Sequence, residues 1–196
     1  MIVVTFFKRV VLIVAHVAAL AALYVLMRPV FSWYMGQVPA AGVDLYYSAT
    51  YAAYQLKNFS LPWNSFKDIW FAGYPLFRDL FQLYFYLMVP FVKDFGIVEG
   101  IKLYVLAVTL GFGASCYFLF FQLGRNIVLG LLLTLLVMFS VNVYGAAIWG
   151  GSLPYYSSQL FLPLCLGFLV YGKRTGERRW FYLSALLAGL GVNGHP

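Results

Sequence analysis

The sequence predicts an all-α, polytopic helical membrane protein with a long extracytoplasmic first loop that carries interfacial helices. Three observations predict it. Hydrophobic residues make up 63% of the 196 residues and charged residues only 10%, where a soluble domain of this length carries about a quarter; the mean hydropathy is +0.84. The apolar residues come in continuous runs and not in alternation, the pattern of membrane helices and not of barrel strands. Five of the six carboxylates, Asp44, Asp68, Asp79, Asp94 and Glu99, crowd into one interruption over residues 28–100. The net charge of +7 does not call for a nucleic-acid partner, because cytoplasmic loops of membrane proteins are rich in Lys and Arg and no nucleic-acid-binding motif is present.

Residues 10–27 form the first predicted span. Lys8 and Arg9 precede it and Arg28 follows it; its 18 residues rise about 27 Å, close to the thickness of a hydrocarbon core. A signal peptide has a shorter apolar core, so the run reads as an uncleaved anchor. The outer loop is expected over 28–102. The second span is expected at 103–121, and Gly124-Arg125-Asn126 is a tight polar turn into a third at 127–143. Residues 142–158 make a loop rich in Gly, Tyr and Trp. A fourth span at 159–171 leads into the basic turn Gly172-Lys173-Arg174-Thr175-Gly176-Glu177-Arg178-Arg179, and a fifth runs over 180–192. The two cysteines, Cys116 and Cys165, fall inside apolar runs and read as small buried hydrophobes.

Residues 80–92 are apolar and aromatic but only 13 long, with Pro90 inside, which fits an interfacial or re-entrant helix better than a span. Charge decides it. With this segment not spanning and the N-terminus cytoplasmic, the inner side holds seven basic residues (Lys8, Arg9, Arg125, Lys173, Arg174, Arg178, Arg179) against Glu177 alone, and the outer side six basic against five acidic. The alternative turns the basic 172–179 segment outward, against the positive-inside rule. The predicted localisation is therefore integral and multi-pass, with residues 28–102, 143–158 and His195 outside the cytoplasm.

Within the first outer loop, Leu45, Ala49, Ala52 and Leu56 recur at helical spacing as one apolar stripe, with Tyr47, Tyr51 and Tyr54 beside it. Asp44 stands in the first turn of that helix, where the positive end of the dipole favours an ionised carboxylate. Two readings stand: a helix cap, or a general base or metal ligand. Further on come Leu61-Pro62-Trp63-Asn64 and Trp70-Phe71-Ala72-Gly73-Tyr74-Pro75-Leu76-Phe77-Arg78-Asp79. Pro75 pushes Tyr74 out of the helical region, and the Trp and Tyr suit a membrane-water boundary. Arg78 and Asp79 form a surface ion pair, or else Arg78 faces a phosphate, for which its forked donors suit it.

Asp44 shortly after the first span, then Pro-Trp, then Trp-x-x-Gly-Tyr-Pro-Leu-Phe, resembles the first outer loop of GT-C-type glycosyltransferases, and within them the multi-pass proteins labelled 6-pyruvoyl-tetrahydropterin synthase-related. Gly194-His195-Pro196 is similar to an ending found in the same proteins. On this resemblance residues 1–196 are the N-terminal part of one GT-C-like transmembrane domain, whose missing C-terminal part would complete it. The resemblance implies transfer of a sugar from a polyprenyl-phosphate carrier to an acceptor on the extracytoplasmic face. It implies Asp44 as base or metal ligand, with Mg or Mn as the possible cation, and Trp70, Tyr74, Arg78, Asp79 and His195 as substrate-binding residues. One departure stands out: Arg78-Asp79-Leu80-Phe81 occupies the place where those proteins often continue with Tyr-Pro-Pro.

The chemistry needs a base for the acceptor hydroxyl and positive charge for the leaving phosphate. Asp44, Asp68 and Asp79 are available for the first; Lys57, Lys67, Arg78, Lys93 or a carboxylate-held divalent cation for the second. His16, mid-span, is either a functional group or a histidine bonded to a neighbouring helix. The competing functions are a non-catalytic transporter or lipid-handling protein, and a structural membrane subunit whose aromatic loop binds a partner. Membrane lipids are partners on every reading.

Overall fold

Buried side chains recur every three or four residues along each long helix, and this stripe builds the bundle. A computed structural model of the protein describes residues 2–36, 56, 66–67, 74–75, 83–140 and 157–192. Six helices lie among them: α1 (Ile2–Gly36), α2 (Leu83–Phe95), α3 (Ile97–Gly124), α4 (Ile127–Met138), α5 (Phe161–Thr175) and α6 (Arg178–Val192). The other described residues are Leu56, a helical turn at 157–159, short connections and one two-residue antiparallel ladder, β1 (Phe66–Lys67) against β2 (Tyr74–Pro75), in register Phe66 to Pro75 and Lys67 to Tyr74. The extended backbone at Tyr74 is what its position before a proline dictates.

The core joins Leu23, Met27, Phe31 and Tyr34 of α1, Tyr84, Met88 and Val92 of α2, Ile101, Tyr104, Val105, Val108, Phe112 and Cys116 of α3, and Met138 of α4. The central helix is α3, which packs against α1, α2, α4 and α5, while α6 packs against α5. Small residues sit at the crossings. Leu23 lies over Gly113, Gly130 lies against Tyr117 and the backbone of Phe121, and Phe118 lies over Gly167, as expected where helices approach closely without a polar interface. The hydroxyls of Thr109, Ser115 and Thr134 bond to the carbonyls of Val105, Gly111 and Gly130 in the preceding turn, so none needs water.

Helix directions alternate. His16, Leu23 and Met35 meet Tyr117, Gly113 and Lys102 in turn, so α1 is antiparallel to α3. Gly130 and Met138 meet Phe121 and Gly113, so α4 is antiparallel to α3 as well. Leu160 and Gly167 meet Gly111 and Phe118, so α5 runs parallel to α3. Trp180 and Ser184 meet Gly172 and Cys165, so α6 runs back.

Two of these helices are long and apolar enough to cross a membrane, Val10–Gly36 and Ile97–Gly124; Ile127–Met138 is a shorter apolar helix. The outward faces are apolar too: Val128, Leu132 and Leu136 line the exposed side of α4, and Leu162, Leu166 and Leu169 that of α5, the reverse of a helix packed at a water-facing surface.

The helix bounds differ from several of the expected spans. The first helix does not end at Met27. It continues through Arg28 and Pro29 to Gly36, because Phe31 and Tyr34 extend the buried stripe of Leu23 and Met27. Helix α3 starts at Ile97, so the connecting segment is shorter at both ends than 28–102. Helix α2 runs over Leu83–Phe95 with Pro90 inside; it is 13 residues long, too short to span. Gly96, at φ 80°, reverses the chain between α2 and α3. The polar turn at Gly124-Arg125-Asn126 is as expected. Arg125 takes the left-handed conformation and its N–H bonds to Phe121 O, while the Asn126 side chain caps α4 by accepting from Leu129 N–H. Helix α4 ends at Met138, short of the expected 143. The basic turn contracts to Gly176 and Glu177, since α5 runs on to Thr175 and α6 begins at Arg178.

Candidate functional site

The alternation of directions gives the bundle two chemically different ends. At one end lie the C-terminus of α1, the start of α3, the start of α5 and the end of α6. Here Lys102 is 0% exposed and its ammonium donates to Met35 O at 3.0 Å and to Glu99 Oε1 at 3.2 Å. The C-terminal carbonyls of a helix attract cations, so Lys102 both caps α1 and fastens it to α3. Glu99 is 52% exposed and keeps one side in solvent. Nearby on α1, the Tyr34 hydroxyl is buried and has no hydrogen-bond partner among the described residues. Tyr104 OH and Ser157 Oγ lie 2.9 Å apart and tie the start of α5 to α3.

Between α5 and α6 at this same end is a cavity of about 400 Å³, lined by Phe161, Leu162, Leu187, Ala188, Gly191 and Val192, with Ser158, Gln159 and Cys165 as its polar members. Ser184 Oγ donates to Cys165 O at 2.9 Å and lies 3.2 Å from Cys165 Sγ, which leaves the lining mostly hydrocarbon. Such a space suits an alkyl or isoprenoid chain better than a sugar.

The opposite end is basic. Arg125 Nη1 and Arg174 Nη1 both donate to Oε1 of the buried Gln122, at 3.4 and 3.5 Å. Arg125 also stacks over Phe121, and Arg179 stacks over Trp180 while pairing with Glu177. One turn further into the bundle, His16 Nδ1 lies 2.6 Å from Tyr117 OH, with its ring edge-on to Phe121. His16 is therefore bonded to a neighbouring helix, one of the two readings its position allowed.

Of the residues nominated from sequence, Asp44, Trp70, Arg78, Asp79 and His195 lie outside the described residues, as do Lys57 and Asp68. For Tyr74 the described fact is its backbone pairing with Lys67. Among the described residues no three His, Cys, Asp or Glu side chains converge. Sequence reasoning missed Lys102, taking it as one outer-loop charge among six; its only local signal was Glu99 three residues earlier. No family model, curated protein or solved structure matches the chain.

Proposed function

We propose that the chain is the N-terminal part of a multi-pass membrane glycosyltransferase of GT-C type, using a polyprenyl-phosphate-linked sugar on the extracytoplasmic face. The observation that carries this reading is the separation of the two ends. The C-terminus of α1 and the start of α3 meet at the end fastened by Lys102, opposite the basic turns at Arg125 and Arg174. With those turns cytoplasmic by the positive-inside rule, α1 ends on the outer side, which supports the reading that the stretch carrying Asp44 and the Trp-x-x-Gly-Tyr-Pro-Leu-Phe motif works there. Helices that alternate in direction and present apolar outer faces support a multi-pass arrangement with the N-terminus cytoplasmic.

On this reading the Asp44 carboxylate takes the proton of the acceptor hydroxyl as that oxygen bonds to the anomeric carbon. The bond from that carbon to the phosphate oxygen breaks with its electrons, leaving polyprenyl phosphate and an inverted centre. A divalent cation, when bound, would steady the leaving phosphate. Arg78 offers the phosphate a forked pair of donors, and Trp70, Tyr74, Asp79 and His195 contact the sugar or carrier. The apolar cavity between α5 and α6 gives a hydrocarbon chain somewhere to lie.

The test is sugar transfer in membranes supplied with polyprenyl-phosphate sugars, comparing the full-length protein with Asp44→Asn at equal expression. Transfer that collapses in the variant supports the reading. Equal transfer makes Asp44 a helix cap, and no transfer across a broad donor panel rejects the transferase reading.

The same cavity favours a second reading, a lipid-handling protein without catalysis. It predicts retention of a polyprenyl lipid that is indifferent to Asp44→Asn and sensitive to bulky substitutions at Gly191.

A further inference from the structure

The basic end holds an arrangement that the transferase reading does not use. Arg125, from the α3–α4 turn, and Arg174, from the last turn of α5, converge on a single neutral oxygen, Gln122 Oε1. Among the described residues neither has a carboxylate within ion-pair distance; the ion pairs there are Lys102 with Glu99 and Arg179 with Glu177. Two guanidinium groups thus share one neutral acceptor, with no counter-ion among the described residues. Lys173 and Arg178 are exposed beside them, so five cations here face one carboxylate, which Arg179 already engages. Gln122 is buried and fixes where the pair converges.

A second, independent observation sets the depth of this junction. Trp180 stacks on Phe168 at 5.5 Å and 8°, and Tyr171 meets Trp180 edge-on at 5.1 Å. Aromatic side chains of this kind mark the boundary between hydrocarbon and headgroups. Exposed leucines continue from it along α5. A ligand here meets paired cations at its head and apolar helix below.

The geometry points to an anionic phospholipid headgroup bound at the Arg125–Gln122–Arg174 junction, its phosphodiester accepting from both guanidiniums and its acyl chains lying along α5. Forked guanidinium donors match paired phosphate oxygens, and basic junctions between helices on the cytoplasmic side recognise such headgroups. The inference needs the bundle to lie in a membrane and is independent of any sugar transfer.

The test uses the whole chain purified in a neutral detergent, with phosphatidylglycerol or phosphatidylcholine of identical acyl chains, read by native mass spectrometry for lipid retained. Wild type is expected to retain phosphatidylglycerol preferentially, and the Arg125→Gln/Arg174→Gln variant to bind it on the order of tenfold more weakly. Arg28→Gln, an exposed cation on α1 away from this junction, keeps the preference. Should the double variant fail to fold, wild type in high salt gives the same answer, since screening abolishes the preference if the site is electrostatic. Equal retention of the two lipids, a preference that survives the double substitution or high salt, or stabilisation by free glycerol phosphate equal to that by the lipid would each overturn the proposal.

Discussion

At Gly100 the backbone of α2 closes tightly on α3, and adding one methyl there tests their packing directly. A Cβ at Gly100 would sit 2.5 Å from Phe91 O, 2.6 Å from Val92 Cα and 2.7 Å from Phe91 C. All three are backbone atoms, so no rotamer change relieves the contact. Ordinary van der Waals separation is about 3.5–4.0 Å, so α2 must withdraw by about 1 Å. That loosens the seam in which Val92 and Met88 of α2 share one core with Ile101 and Tyr104 of α3, and Phe91 meets Tyr104 edge-on at 5.8 Å. Overpacking of a close-packed site costs about 1–3 kcal/mol, and rigid backbone on the receiving side puts Gly100→Ala near the upper value. The control is Gly189→Ala in α6, where a Cβ meets nothing within 4 Å; helix propensity makes that change neutral or stabilising by up to about 1 kcal/mol. Unfolding of both variants in mixed micelles, followed by circular dichroism against denaturant, gives the difference. If Gly100→Ala proves as stable as Gly189→Ala, α2 does not pack on α3 as described and the core at this end is wrongly drawn.

Three further outcomes follow from the polar contacts. Glu99→Gln leaves the buried Lys102 ammonium with a neutral partner only and should cost about 2 kcal/mol, reduced by the exposure of Glu99, whereas Lys102→Met removes the buried charge itself and should cost only about 1 kcal/mol; the reverse order in denaturation midpoints would show that Lys102 is solvated. His16→Phe should cost about 1 kcal/mol by orphaning the Tyr117 hydroxyl, and adding Tyr117→Phe should recover most of it; additive losses would refute the His16–Tyr117 bond. Gly176, at φ 73°, should lose about 1 kcal/mol on substitution by Ala, since the left-handed conformation strains a Cβ, measured by the same denaturation.

What was legible in the sequence followed from local pattern. The Gly124-Arg125-Asn126 break stands out as polar residues between apolar runs, and Asn126 is a good N-cap, so both helix ends were readable. Helix α1 extends beyond the 10–27 span that the sequence suggests, where Arg28 follows the apolar run and Pro29 comes next. The stripe through Phe31 and Tyr34 outweighs them: Pro29 removes one backbone donor and crowds the Val25 carbonyl, yet the helix runs on to Gly36, held from outside by α3. The burial of Lys102 was not legible, since it depends on Met35 arriving from 67 positions away. The same is true of Gln122, whose two arginine partners come from different turns. The nominated residues Asp44, Trp70, Arg78, Asp79 and His195 rest on sequence resemblance, because they fall outside the described residues.

The claim on which the functional reading depends is that the Lys102 end and the Arg125–Arg174 end lie on opposite sides of a membrane. Single cysteines at Asp94 and Glu177, both exposed, in a chain lacking Cys116 and Cys165, can be labelled in intact cells with an impermeant maleimide. Asp94→Cys is expected to label from outside, and Glu177→Cys only after permeabilisation. Labelling of both from the same side would contradict the arrangement and, with it, the placement of the Asp44 loop on the outer face.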